Sequence, residues 1–182
     1  GVAHIFAYDN GCTDGTLAAL RRVAGDRVTV MPWNQKFRDG RRGYEINNQV
    51  LAYAHAVRNF GPAFRSMSFI DVDEYLVPKQ APDLPAALAH LDGCRSISLP
   101  WHMFGRSGHQ TPPDGGVIAN YTRRNPDPMS DAKGLRNFKM IVDPAHVTAL
   151  KVHEIDVDGS PDTCNDRGRR FTLAARNSRA FY

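Results

Sequence analysis

Apolar residues in this chain come in short runs, some continuous and some at helical spacing, and the two kinds alternate through its first half. Residues 3–8 form a continuous apolar run that predicts a short buried strand, followed by a polar turn over residues 9–15. Thr16-Leu17-Ala18-Ala19-Leu20 then opens a helix, with Thr13 or Asp14 as its cap. Residues 28–31 read as a second strand, stopped by Pro32. From Tyr44 to Phe60, Ile46, Val50, Leu51, Ala54 and Val57 recur at helical spacing, and Gly61-Pro62 ends the run. Residues 66–72 are a third strand, 85–91 a short helix ended by Asp92-Gly93, and 96–99 a further strand. This alternation predicts an α/β fold, with a mainly parallel sheet and helices on both of its faces.

The second half has a different texture. Residues 101–116 are rich in Gly, Pro and His and read as a long functional loop. Residues 117–122 suit either a strand or a helix, and Asn125-Pro126-Asp127-Pro128 is a further break. Residues 138–142 and 149–153 are expected to be two late strands. With no repeat and no convincing linker, the 182 residues read as one domain.

Composition narrows the choice of partners only slightly. The chain is 42% hydrophobic and 23% charged, ordinary for a soluble globular protein. A net charge of +4 suits an anionic substrate. Its basic residues are dispersed outside Arg21-Arg22, residues 38–42, Arg123-Arg124 and residues 167–170, and no nucleic-acid motif accompanies them, so nucleic acid is not expected as a partner. Cys12, Cys94 and Cys164 are far apart, odd in number and form no CxxC pair. That pattern is read as thiols in a reducing, cytoplasmic compartment and argues against zinc. No apolar run reaches membrane-spanning length and no signal peptide opens the chain. Because it starts at Gly1-Val2-Ala3-His4, without Met and almost on a strand, it is expected to be a fragment, incomplete at its termini. Membrane association would then come only through the missing flanks.

The chemistry concentrates in Phe69-Ile70-Asp71-Val72-Asp73-Glu74-Tyr75-Leu76, an apolar run ending in closely spaced carboxylates. Ionised carboxylates are costly to hold near a core without partners. At the carboxyl end of a strand they would face the crevice where open α/β sheets bind ligands. Such hard oxygen ligands suit Mg²⁺ or Mn²⁺ shared with phosphate oxygens. The loop Tyr8-Asp9-Asn10-Gly11-Cys12-Thr13-Asp14-Gly15-Thr16 would open at the same edge and enter a helix whose N-terminus favours an anion.

Together these segments resemble glycosyltransferases of the GT-A fold, in which residues 9–16 look like the nucleotide-binding loop and Asp71-Val72-Asp73 like the DxD motif. With Trp101-His102-Met103-Phe104-Gly105, Lys139-Met140-Ile141-Val142 and Val152-His153-Glu154, the chain is similar to the glycosyltransferase family 92 and family 2-like group over nearly its whole length. The resemblance implies a Rossmann-like GT-A sheet, with a nucleotide-binding half over residues 1–100 and an acceptor-side half over 101–182. It implies a hexosyl transfer, inverting in outcome, from a nucleoside diphosphate sugar to a hydroxyl of a glycan or polysaccharide.

By the same resemblance Asp9, with Asn10 and Asp14 in its loop, would bind the nucleotide. Asp71 would sit by the ribose or sugar, and Asp73 would ligate Mn²⁺ or Mg²⁺ with Asp71 and His153 as further metal contacts. Trp101 and His102 would line the acceptor site, while Phe104 is expected to anchor its loop to the core. Arg123, Arg124 and Lys139 are available to neutralise diphosphate. An inverting transfer needs a carboxylate base, and Glu74, Asp114, Asp131 and Glu154 are all placed for it; Glu74 adjoins the acidic motif and Glu154 follows His153. Two rivals are weaker. A haloacid dehalogenase-type phosphatase would want a small residue where Tyr75 stands and a later Asp-Asp pair, which is missing. A degenerate, non-catalytic transferase domain would keep the fold and bind without turnover.

Overall fold

The computed structural model describes residues 1–127 and 137–172. It is a mixed α/β fold. Two parallel strands, β1 (Ile5–Asp9) and β2 (Val28–Pro32), flank α1 (Thr16–Ala24) in between. Then come α2 (Asn48–Phe60), β3 (Met67–Ser68), α3 (Leu84–Leu88), β4 (Ser96–Pro100) and the single turn α4 (Val117–Asn120). The described chain closes with β5 (Phe138–Val142), β6 (Val147–Leu150), β7 (Ile155–Val157), β8 (Thr163–Cys164) and β9 (Arg170–Phe171).

The mainly parallel sheet expected from the sequence is not what forms. The largest sheet is five-stranded, in the order β3-β5-β4-β8-β9. Strand β5 runs antiparallel to both β3 and β4, and only β4 and β8 pair in parallel there. The alternation predicted the direction of β3 and β4 correctly, since both oppose β5 and therefore run the same way. What it missed is the late strand inserted between them, which no local pattern can announce. β6 and β7 form a separate antiparallel hairpin, and β1–β2 a separate parallel pair.

Several boundaries also move. Helix α2 begins at Asn48, not near Tyr44, because the Asn47 side chain caps it by accepting from the Gln49 and Val50 N–H groups. Residues 117–122, open between strand and helix, are helical over Val117–Asn120. The strand expected over residues 149–153 starts earlier, at Val147, and ends at Leu150, which leaves His153 in the connection to β7. β3 ends at Ser68, so the acidic residues stand in a turn beyond a two-residue strand and not at the tip of a long one.

The core forms on both faces of β5, whose five residues are all buried. Met140 and Val142 join Tyr53, Ala56, Phe69, Ile155 and Val157, so α2, the acidic segment and the β6–β7 hairpin share one cluster. Ile141, on the opposite face by strand alternation, packs with Leu91 and Ile97. At the far edge, buried Ser96 and Ser98 hydroxyls meet the Thr163 hydroxyl at 3.2 and 3.1 Å. There Cys94 and Cys164 are bonded to each other, 70 residues apart in sequence, and Cys12 is the free, exposed cysteine. The pairing overturns the expectation of three thiols and removes the argument for a reducing compartment drawn from the odd count. Sequence distance misled here, because β4 and β8 are spatial neighbours.

Closing a loop of that length restricts the unfolded chain, so the disulfide is expected to contribute about 2–4 kcal/mol. Urea unfolding of Cys94→Ala/Cys164→Ala should show a loss of that order. Wild-type protein treated with reductant should fall toward the same midpoint, and no loss in the double variant would refute the staple.

Candidate functional site

The first turn of α2 holds two acidic segments that are far apart in sequence. The Asn48 side chain donates to the Trp33 carbonyl at 2.9 Å, and Trp33 Nε1 returns a bond to the Asn48 carbonyl at 3.0 Å. The Trp33 N–H donates in turn to the Asp9 carbonyl at 2.7 Å. On the same helix Gln49 and Tyr53 lie one turn apart, hence on one face. Gln49 Nε2 donates to the Tyr53 hydroxyl at 2.8 Å and to Asp71 Oδ1 at 3.0 Å. The end of β1 and the acidic turn are thus tied to consecutive residues of one helix end.

The acidic turn is organised from beneath by Lys139. Phe69 is buried and packs on the Tyr53 ring at 4.6 Å, which anchors the segment before it turns outward. The Asp71 N–H donates to Glu74 Oε2 at 2.7 Å, and the Glu74 N–H to the Asp71 carbonyl at 3.1 Å. Lys139 Nζ, on the central strand and with a side chain only 5% exposed, lies 3.2 Å from both Asp71 Oδ2 and Glu74 Oε2. Burial alone would push the lysine pKa down, but the hydrogen bonds to Asp71 and Glu74 outweigh it and hold it above the ordinary value. The sequence reading treated Lys139 as an exposed basic residue available to diphosphate; it is instead a buried cation matched to the chain's own acids.

Asp73 differs from its neighbours. It is exposed, follows Val72 at 95% exposure, and makes no hydrogen bond or ion pair among the described residues. Both Asp71 oxygens and one Glu74 oxygen are already engaged. No group of three His, Cys, Asp or Glu side chains that could hold a metal occurs among the described residues. The donor set therefore fits a Mg²⁺ or Mn²⁺ ion only in the manner of one carboxylate plus water and substrate phosphate, not of a protein cage. His153, expected as a further ligand, has its ring edge-on to Trp101 at 5.4 Å.

In the loop after β1, Asp9 Oδ1 accepts from the Cys12 N–H at 2.8 Å and the Gly11 N–H at 3.2 Å. The Cys12 bonds are the main reason its carboxyl is held below the usual range. Gly11 adopts a φ of 91°, which a side chain would resist. Asp14 Oδ1 accepts from the Thr16 N–H at 2.9 Å at the start of α1, which answers the question of its cap. Asn10 is exposed between them. Both aspartates thus have a structural task in shaping the loop.

The 101–116 loop inverts the roles expected of its rings. Trp101 packs inward, against His153 and with Lys139 Nζ 5.6 Å from its ring centre, and its Nε1 is buried. Phe104 is 53% exposed and, with Met103, Gly105, Arg123, Arg124 and Asn125, lines a groove of about 420 Å³. His102 Nδ1 meets Arg124 Nη1 at 2.8 Å, and burial, then the charges of Arg124 and Lys79, push its pKa down. A neutral imidazole that accepts from the guanidinium fits that pair. Of the carboxylates considered as base, Glu74 belongs to the Lys139 cluster and Glu154 pairs with Lys151 at 2.7 Å. The Asp114 carbonyl accepts from Asn120, and Asp131 lies outside the described residues.

Gln49 and Tyr53 were missed by the sequence reading, because nothing local marks a polar helix face as the one that meets a distant aspartate. Lys139 did carry a signal: a lysine inside the apolar run Phe138-Lys139-Met140-Ile141-Val142 must find an anion. The family model described as Glycosyltransferase family 92 matches residues 1–161 of the chain. No curated protein and no solved structure matches it.

Replacing Gln49 with Leu takes a donor from both the Tyr53 hydroxyl and Asp71 Oδ1. The expected loss is about 1 kcal/mol of unfolding free energy by urea titration. A midpoint equal to wild type would mean that this bridge contributes nothing in solution.

Proposed function

We propose that this chain, which belongs to glycosyltransferase family 92, transfers a hexosyl unit from a nucleoside diphosphate sugar to a hydroxyl of a glycan or polysaccharide. The observation that carries the reading is the link through α2, which ties the Asp9 loop and the Asp71–Glu74 turn to Asn48 and Gln49. Two acidic loops gathered at one helix end fit the nucleotide half of a GT-A-type site. In this reading the shaped Asp9 loop receives the nucleoside, with Asn10 exposed beside it and Asp14 at the mouth of α1. Asp71, clamped by Gln49 and Lys139, orients the ribose or sugar.

Asp73 is the residue for Mn²⁺ or Mg²⁺, since its carboxylate is the one in this turn not engaged among the described residues. The ion, when bound with donor, supplies positive charge that offsets the departing diphosphate. His153 serves the site through Trp101. Inverting transfer assigns a carboxylate the proton of the acceptor hydroxyl. Glu154 suits that role better than Glu74, because it is not part of the Lys139 cluster. The groove below Phe104 is the acceptor side, with an exposed ring to stack on a sugar face and His102 held by Arg124 behind it.

Asp73→Asn is expected to abolish metal-dependent nucleotide binding while leaving the fold intact. Calorimetric titration of UDP and GDP, each with and without Mn²⁺, measures it. Unchanged metal-dependent affinity would sink the Asp73 assignment, and no binding of either nucleotide by wild type would favour a non-catalytic domain. Phe104→Ala should raise the acceptor KM roughly tenfold or less, in keeping with one lost stacking contact of about 1 kcal/mol, with donor KM unchanged. A change in donor KM alone would overturn the acceptor placement.

A further inference from the structure

We propose that Lys139 is a positioning residue that acts as a built-in counter-cation, closing Asp71 and Glu74 to divalent metal until nucleotide arrives. The proposal rests on reading the acidic turn as the donor site, and it concerns a residue that touches neither donor nor acceptor. Lys139 projects from the central strand, with strand neighbours on both sides, and its side chain is 5% exposed. Its ammonium meets Asp71 Oδ2 and Glu74 Oε2 at 3.2 Å each and lies 5.6 Å from the centre of the Trp101 ring. Gln49 occupies the other Asp71 oxygen, and the Asp71 N–H shares the Glu74 oxygen. Every partner in this arrangement belongs to a packed element, so the ammonium is not a mobile surface charge that steps aside.

The consequence is a division of labour among three carboxylates within four residues. Three acids so close would, left alone, make a hard oxygen site for a divalent ion. With one monovalent cation fixed between two of them, the turn keeps a single open carboxylate, that of Asp73. One carboxylate holds Mg²⁺ or Mn²⁺ only weakly, so the ion must bring its remaining ligands from diphosphate and water. Metal uptake is thereby coupled to donor binding, and the ammonium keeps the turn shaped in the meantime.

The test is Mn²⁺ binding without nucleotide, followed by the loss of the free-ion paramagnetic resonance signal. Lys139→Met frees both carboxylates and is expected to bind Mn²⁺ roughly tenfold or more tighter than wild type, the order expected when a unit charge a few ångströms away is removed. Lys139→Gln, which keeps a donor at the end of the side chain, gives the same gain and serves if the Met variant does not fold by circular dichroism. Lys139→Arg keeps the charge and should stay at the wild-type affinity. A folded Met or Gln variant with unchanged or weaker Mn²⁺ binding overturns the proposal, and so does an Arg variant that gains as much as Met. Tight, micromolar Mn²⁺ binding by nucleotide-free wild type overturns it too, with no variant needed. UDP and GDP titrated in parallel keep the two readings apart, because loss of nucleotide binding bears on the donor site and the nucleotide-free comparison on Lys139.

Discussion

A lysine in the middle of a fully buried strand must be met by carboxylates, since an unpaired ammonium in that position would be too costly to keep charged. Lys139 meets two, and both belong to a turn that has no regular secondary structure to shape it. The central strand thereby fixes the position of the acidic motif from below. Glu74 also closes the turn by accepting from the Asp71 N–H, so the charge pair and the local backbone geometry depend on each other. Pairs of this kind add little net stability over apolar packing, yet breaking one partner away is costly. Their effect is to specify where the acids stand.

The same turn is held from the side by α2. That helix packs Tyr53 and Ala56 into the core and uses the polar face one turn earlier to reach Asp71, Trp33 and, through Trp33, the Asp9 carbonyl. Packing and site geometry therefore share one element. A change that shifts α2 against the core moves both acidic loops together. The Trp101 ring adds a further layer, resting against Lys139 and His153, which connects the acidic turn to the loop that carries the exposed Phe104 groove.

Much was legible in the sequence. Continuous apolar runs located β1, β2, β4 and β5, and helical spacing located α2, because these follow from local burial and periodicity. The long loop after β4 was announced by its Gly, Pro and His content, and the acidic run by the improbability of carboxylates beside a core. Less legible was the extent of each element. Capping by Asn47 and the early end of β3 depend on side-chain bonds and partner strands that a periodicity count does not contain.

The sequence by itself determined that this chain forms an α/β domain with an acidic turn and a glycine-bearing loop, since residue type and spacing decide burial and turn formation locally. Only the tertiary structure decided that β5 enters between β3 and β4, that Cys94 meets Cys164, and that Trp101 packs inward while Phe104 faces solvent. It also decided which acid stays open. Asp71, Asp73 and Glu74 are alike as residues in a row, but Lys139, coming from 65 positions or more away, can reach only the two that face it. Pairing across such separations is set by how strands and helices stack, and that is information no stretch of the chain holds alone.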